Sequence, residues 1–153
     1  MEKDELNGIM EYEYKRVEES GITDFGIKIN IKDKKDYTKW ELTLIAPEDS
    51  DYKDGKYIVD VEFLLDYPLV NPKFTFKTNI YHCNVEDNGE LNVNWLMKGM
   101  KIDYILPRLL TLFYIQDPSV DENSEKCKLY KENVDKFKEK IKENVKAQQN
   151  NKN

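Results

Sequence analysis

The chain has 153 residues and a formal net charge of -6 at pH 7. This length fits one domain with a core of ordinary size, and the acidic charge argues against nucleic acid as a partner, because phosphate binding needs a basic surface. No apolar run approaches the ~18 residues that cross a bilayer, and the N-terminal MEKDELNG lacks the layout of a signal peptide. We therefore predict a single domain over residues 1-148 with a flexible tail at 149-153. It is expected in the cytoplasm, the nucleus or both, with no membrane partner.

The first predicted element is an amphipathic helix from Asp4 to Ser20. Apolar residues recur there at three- and four-residue steps between charges, and Gly21 follows as a helix stop. The charged residues of this helix, Lys15 and Arg16 among them, are typical of a solvated helix face.

Four strands are predicted next, because apolar residues alternate with polar ones in four separate blocks. The alternating residues are Phe25, Ile27, Ile29 and Ile31, then Thr38, Trp40, Leu42 and Leu44, then Tyr57, Val59, Val61, Phe63 and Leu65, and finally Phe74 and Phe76. A period of two indicates one packed face and one wetter face, so an antiparallel meander is favoured over a buried parallel sheet.

After Ile80 the alternation stops and a polar loop begins. The sequence from Tyr81 to Gly89, YHCNVEDNG, is too rich in turn formers to continue a strand. We predict a loop that presents polar side chains.

Two further helices are predicted beyond this loop. The first runs from Tyr104 to Gln116, with Asp103 as its N-cap and Pro107 in its first turn, and it is apolar almost all round. We expect it to be covered on most sides and to pack on the inner face of the sheet. A last long helix carries a regular apolar stripe made of Cys127, Tyr130, Val134, Phe137, Ile141 and Val145.

Cysteine and histidine are scarce in this chain. Cys83 and Cys127 are far apart in sequence, and a chain of this size in a reducing compartment is expected to keep them as free thiols. One histidine and two unclustered cysteines cannot supply the usual four ligands of a zinc site. We predict no metal site and no cofactor.

The residues from 67 to 92 resemble the ubiquitin-conjugating (E2) enzymes. The matching positions are Tyr67, Pro68 and Pro72 of the family's Tyr-Pro-x-x-x-Pro turn, Tyr81 at a strand end, His82 and Asn84 of its His-Pro-Asn tripeptide, and the Asn88-Gly89 turn. Cys83 replaces the proline of the tripeptide. The resemblance implies an α+β, UBC-like fold: an N-terminal helix, a four-stranded antiparallel meander sheet, a central helix packed on the sheet and a long C-terminal helix.

The family's catalytic cysteine stands eight residues after the tripeptide's asparagine, and that position is Asn92 here. Accepting the ubiquitin C-terminus as a thioester requires a thiolate, which a carboxamide does not supply. In the family the histidine is mainly structural and the asparagine steadies an oxyanion. Without a nucleophile we expect His82 and Asn84 to brace their own loop.

Three functions remain open at this point. The favoured one is a catalytically silent E2-like scaffold for ubiquitin, a ubiquitin-like protein or an active E2. The second is an active E2 that uses Cys83 as a relocated nucleophile, with its pKa lowered by the neighbouring His82. The third is a peptide-binding module on the same fold.

The resemblance also implies surfaces for partners. Leu69, the bulky residue after Tyr-Pro, would contact the activating enzyme E1 and RING-type ligases. Lys15 and Arg16 of the N-terminal helix would face E1 and ligases as well. The segment Met97-Lys98-Gly99-Met100-Lys101 departs from the family's usual Trp-x-Pro pattern in the second loop that contacts E1 and ligases.

Overall fold

The structure is a computed structural model, and it describes residues 1–150. The elements in chain order are α1 (Lys3–Ser20), β1 (Ile27–Asn30), β2 (Lys39–Ile45), β3 (Lys56–Glu62), β4 (Lys73–Phe76), α2 (Ile102–Leu110), α3 (Glu125–Glu132) and α4 (Val134–Asn150). The predicted α+β, UBC-like architecture is confirmed.

The four strands form one antiparallel sheet in the order β1-β2-β3-β4, as the alternation predicted. Trp40 of β2 pairs with Val61 of β3, and Leu42 pairs with Val59. All four side chains are buried, whereas their neighbours along each strand are not. One face of the sheet therefore covers the core.

The first strand is shorter than predicted at its start. Phe25 lies at the end of a 3-10 turn (Ile22–Asp24) and its side chain is 79% exposed. Gly26 follows with a φ of 92°, which interrupts the extended backbone that a strand needs. Alternation alone predicts a strand that extends past this glycine, and it likewise predicts that Leu65 belongs to β3, which ends at Glu62.

The prediction of a central helix covered on most sides is wrong. Ile102, Ile105, Leu106 and Leu109 are buried, but Tyr104 is 70% exposed on the opposite side. Asp103 is not the N-cap: Lys101 holds that position, and the Asp103 carboxylate accepts a hydrogen bond from Arg16 instead. Pro107 lies inside the helix rather than in its first turn. The buried side does pack into the same core as the inner face of the sheet.

The predicted last helix is in fact two helices separated by Asn133. This residue has an extended backbone, with φ -153° and ψ 84°. Its N–H donates to the Leu129 carbonyl, and its side-chain oxygen accepts the Lys136 N–H at 3.1 Å. Asn133 thus ends α3 and caps α4. Val134 is partly exposed beside this break, while the rest of the α4 stripe is buried as predicted: Phe137, Ile141 and Val145.

Helix α4 continues to Asn150, so the first two residues of the predicted tail at 149-153 are helical. Residues 151-153 lie outside the described part of the chain. Between residues 1 and 150, no helix combines the length and the apolar character that crossing a membrane requires.

Candidate functional site

The polar loop after β4 folds back on itself and is fastened to β4 at its tip. Val85 and Leu91 form a bridge, and the Glu86 N–H donates to the Glu90 carbonyl at 2.8 Å. Gly89 has a φ of 92°, its carbonyl accepts the Phe76 N–H at 2.7 Å, and a Cβ on it would collide with the Phe76 carbonyl. Only glycine fits there, which explains the Asn-Gly turn.

His82 is fully buried at the base of this loop. Its Nε2 donates to the Leu112 carbonyl at 2.6 Å, and its Nδ1 accepts the Asn84 N–H at 2.9 Å. These two bonds place the proton on Nε2 and leave neither nitrogen free for acid–base chemistry. Burial lowers the pKa of His82 to about 4, so the ring is neutral.

Asn84 is also buried, and its carboxamide forms a reciprocal pair with the backbone of Asp117. Nδ2 donates to the Asp117 carbonyl at 2.8 Å, and Oδ1 accepts the Asp117 N–H at 2.9 Å. The side-chain bonds of Asn84 are therefore not made within its own loop, as the sequence led us to expect. They tie the loop to the segment that follows the central helix.

Cys83 lies between these two residues and is only 4% exposed. Its N–H donates to Gln116 Oε1 at 2.9 Å, and its carbonyl accepts a hydrogen bond from the Cys127 thiol at 3.4 Å. Burial, and next the neighbouring Cys127, raise the pKa of Cys83 to about 12. A nucleophilic cysteine needs the opposite shift. His82 cannot supply that shift, because both of its nitrogens are engaged and its ring is neutral. Both cysteines are free thiols.

Asn92 lies at the surface end of the loop. Its N–H donates to the Asn84 carbonyl at 2.8 Å, and its Nδ2 donates to Glu86 Oε1 at 3.0 Å. Two residues further on, Asn94 lines one small cavity with Asp117, whose pKa is lowered chiefly by the Ser119 hydroxyl. The side chain at position 92 therefore contacts one exposed carboxylate, that of Glu86.

Sequence reasoning missed a clamp that holds the base of the loop. Gln116 Nε2 donates to the Tyr52 hydroxyl at 2.7 Å, and that hydroxyl donates to the Tyr81 carbonyl. Because Gln116 also accepts the Cys83 N–H, one chain of hydrogen bonds runs from residue 81 to residue 83. The Tyr52 ring stacks on His82 at 5.9 Å between centroids. The available signal was a glutamine at the end of the helix predicted from Tyr104 to Gln116, although α2 itself ends at Leu110.

Lys126 of α3 is a second residue that the sequence did not single out. Its ammonium donates to the Val85 carbonyl and lies 3.6 Å from Asp87 Oδ1. Most of its side chain is buried. Lys126 thus joins the tip of the loop to α3.

The predicted partner residue Leu69 is 68% exposed and belongs to a larger apolar surface. Met97 is 66% exposed, and Val70 is partly exposed. The Gly99 N–H donates to the Pro68 carbonyl at 2.9 Å, so the two segments lie against each other. We call Leu69, Val70 and Met97 the 69–97 surface.

Lys15 and Arg16 differ in their availability to a partner. Lys15 is exposed, with its ammonium 3.7 Å from the Glu11 carboxylate. Arg16 Nη2 lies 2.6 Å from Glu13 Oε2, and its Nη1 donates to Asp103 Oδ2 at 3.3 Å. The Arg16 guanidinium therefore ties α1 to α2, and only Lys15 of this pair is free to meet a partner.

Residues 1–150 contain no cluster of three or more His, Cys, Asp or Glu side chains that could hold a metal ion.

Comparison with known proteins places these features in a family. The family model described as ubiquitin-conjugating enzyme matches residues 9–145. The chain is 39% identical over 71 residues to ubiquitin-conjugating enzyme E2 15 of Schizosaccharomyces pombe, an alignment that spans 46% of this chain and 42% of that protein. It is 30% identical over 117 residues to the probable ubiquitin-conjugating enzyme E2 31 of Arabidopsis thaliana, across 74% of this chain and 76% of the relative.

Proposed function

Because the chain belongs to the ubiquitin-conjugating enzyme family, we propose that it is a scaffold of the ubiquitin or ubiquitin-like conjugation pathway that forms no thioester itself. It holds ubiquitin, a ubiquitin-like protein or an active E2. The observation that carries this proposal is the Asn92 carboxamide at the family's cysteine position, hydrogen-bonded to Glu86.

The chemistry of position 92 supports a non-catalytic role. The nitrogen lone pair of a carboxamide is delocalised into its carbonyl, so it does not attack an activated acyl group at neutral pH. The Glu86 carboxylate beside it would also oppose a developing negative charge there. Both features work against acyl transfer.

The fallback nucleophile is disfavoured on separate grounds. Cys83 is buried, its pKa is raised to about 12, and its neighbours hold its backbone rather than activate its thiol. Moving this thiol to the surface would break the clamp made by Gln116 and Tyr52. A catalytic Cys83 would therefore need a different loop conformation.

The 69–97 surface supports a contact with E1, a RING-type ligase or an active E2. Exposed apolar side chains from two adjoining segments are typical of a protein-binding surface. Lys15 adds one exposed cation on α1, whereas Arg16 is occupied within the chain.

The claim that the chain forms no thioester is tested by a charging reaction with E1, ATP and ubiquitin, analysed with and without thiol reductant. We expect no adduct. A reductant-sensitive adduct that is lost in Cys83→Ala and retained in Cys127→Ala would overturn the proposal and assign catalysis to Cys83.

The claim that the chain holds ubiquitin or an active E2 is tested by NMR on the ¹⁵N-labelled protein. We expect chemical-shift changes on addition of free ubiquitin or of an active E2 charged with ubiquitin. If neither addition shifts any resonance, the scaffold role is wrong and the peptide-binding module remains.

A further inference from the structure

Both cysteines of the chain lie at one contact between the loop and α3. The chain has two cysteines in 153 residues, and they are 44 positions apart. The Cys127 thiol donates to the Cys83 carbonyl at 3.4 Å, and both side chains are buried. A buried residue touches only ~6–12 others, so two cysteines placed independently in a chain of this length would rarely meet. Their meeting at one contact indicates chemistry that needs two sulfur atoms.

The two thiols are close to each other as well as to the backbone. After burial, Cys127 is the next largest cause that raises the pKa of Cys83 to about 12, and such an effect falls off with distance. The Cys83 thiol lies 3.8 Å from Asn84 Oδ1, which is a weak contact because S–H is a poor donor. Turning the Cys83 thiol from Asn84 towards Cys127 therefore breaks no strong hydrogen bond, and Asn84 keeps its two bonds to Asp117.

The two backbone segments that carry these thiols are already held in place. The Cys83 N–H donates to Gln116 Oε1 at 2.9 Å. Cys127 lies in the first turn of α3, where its N–H donates to the Ser124 hydroxyl at 3.1 Å. A covalent bond between two fixed segments requires little further ordering of the folded chain. A disulfide at this contact would therefore keep the loop and α3 where they are.

We propose that Cys83 and Cys127 are a modification site, which forms an intramolecular disulfide by exchange with a small-molecule disulfide such as oxidised glutathione. One cysteine thiolate attacks a sulfur of the oxidant, which forms a mixed disulfide and releases one glutathione thiolate. The second cysteine thiolate attacks the protein sulfur of the mixed disulfide, which forms the bridge and releases the second glutathione. The chain loses two electrons and two protons, and the oxidant becomes two thiols. This reaction does not require that the chain hold ubiquitin.

Burial makes the reaction slow in the folded chain. Cys127 is fully buried and Cys83 is 4% exposed, so a dissolved oxidant reaches neither thiol without a local opening. The raised pKa of Cys83 keeps its thiolate scarce, which slows the exchange further. The same burial shields the finished bond from reductants. The bond encloses residues 84–126, which include Asn92 and α2, and it fastens the base of the loop to α3.

The test compares the same disulfide in the folded and in the unfolded chain. The full chain is equilibrated in mixtures of reduced and oxidised glutathione, with and without concentrated urea. Each equilibration starts once from the reduced and once from the oxidised protein, so that slow access is not mistaken for absence of the bond. Acid-quenched samples are analysed by intact mass, in which the bridge removes two hydrogen atoms. We expect the equilibrium constant for bridge formation to be about a hundredfold larger in the folded chain, because the fold holds the thiols together.

Cys83→Ser and Cys127→Ser are matched controls, because each leaves one thiol. We expect neither variant to lose two hydrogen atoms, and each should gain at most one glutathione. Proteolysis of the oxidised, unmodified chain without reductant should yield one linked fragment that contains both cysteines. An equilibrium constant that is no larger in the folded chain than in urea overturns the proposal. Oxidation that gives linked dimers or stable mixed disulfides with glutathione in place of the bridge overturns it as well.

Discussion

The base and the tip of one loop are built in different ways. At the base, His82 and Asn84 are buried, and their side chains bond to backbone groups of Leu112 and Asp117. At the tip, the exposed Glu86 carboxylate accepts a hydrogen bond from the Asn92 side chain. The base serves the fold, because removing it would leave buried backbone groups unpaired, whereas the tip can change without such a cost. A chain can thus keep the family's loop while the reacting position carries another residue.

The protonation of His82 should produce the largest effect on the base. Its pKa is lowered to about 4, against ~6.5 in an unfolded chain. The unfolded state therefore binds more protons between these values. Stability is fully present above pH ~6.5 and falls as the pH drops towards 4, by up to about 3 kcal/mol.

His82 is the chain's single histidine, so its NMR signal reports this pKa without ambiguity. We expect the imidazole of the native protein to remain neutral at pH 5.5. An imidazole that titrates near 6.5 in the folded protein would show that His82 is accessible to water at the base of the loop.

Asn84→Ala and Asn92→Ala compare the two ends with the same chemical change. Asn84→Ala removes two buried hydrogen bonds to Asp117 and should lower the free energy of unfolding by about 2 kcal/mol. Asn92→Ala removes an exposed bond to Glu86 and should cost less than about 0.5 kcal/mol. Urea unfolding measures both. Equal losses would contradict the division between base and tip.

Lys126→Met should loosen the tip alone. The ammonium holds the Val85 carbonyl and Asp87, and its loss should cost about 1 kcal/mol while the long apolar side chain is kept. Hydrogen exchange of the tip amides should accelerate, and exchange of the amides at residues 82-84 should not. Lys128→Met, an exposed substitution on the same helix, serves as the control. Faster exchange at both ends would show that tip and base open together.

Asn92→Cys should place a thiol beside a carboxylate that disfavours its ionisation. The Glu86 carboxylate beside it disfavours the thiolate, so alkylation by iodoacetamide should be slower than for an unperturbed thiol. Adding Glu86→Gln should raise the rate about threefold at fixed pH, an effect of the size of one exposed charge. A rapidly alkylated thiol in the single variant would indicate that the site still favours a nucleophile.

The local pattern predicted the elements well, because period-two alternation and turn residues act over short distances. It failed where a single residue overrides the pattern. The apolar stripe runs through Asn133, but the Asn133 side chain caps α4 and splits the helix. Gly26, with a positive φ, interrupts the extended backbone directly before β1, so Phe25 does not belong to the strand.

The candidate site was predictable only in part. The resemblance to the E2 motif indicated the loop and Asn92, because the motif's residues can be counted along the sequence. The bonds of Gln116 to Tyr52, of Arg16 to Asp103 and of Lys126 to Val85 join residues that are 41 to 87 positions apart. No pattern in one sequence reports such pairs, because they depend on how the elements pack.

The measurement that tests the central claim most directly is the intact mass of the protein after incubation with E1, ATP and ubiquitin under non-reducing conditions. The account predicts that the mass of the chain is unchanged, while a known active E2 in the same mixture gains one ubiquitin. A gain of one ubiquitin by this chain, reversed by thiol reductant, would contradict it.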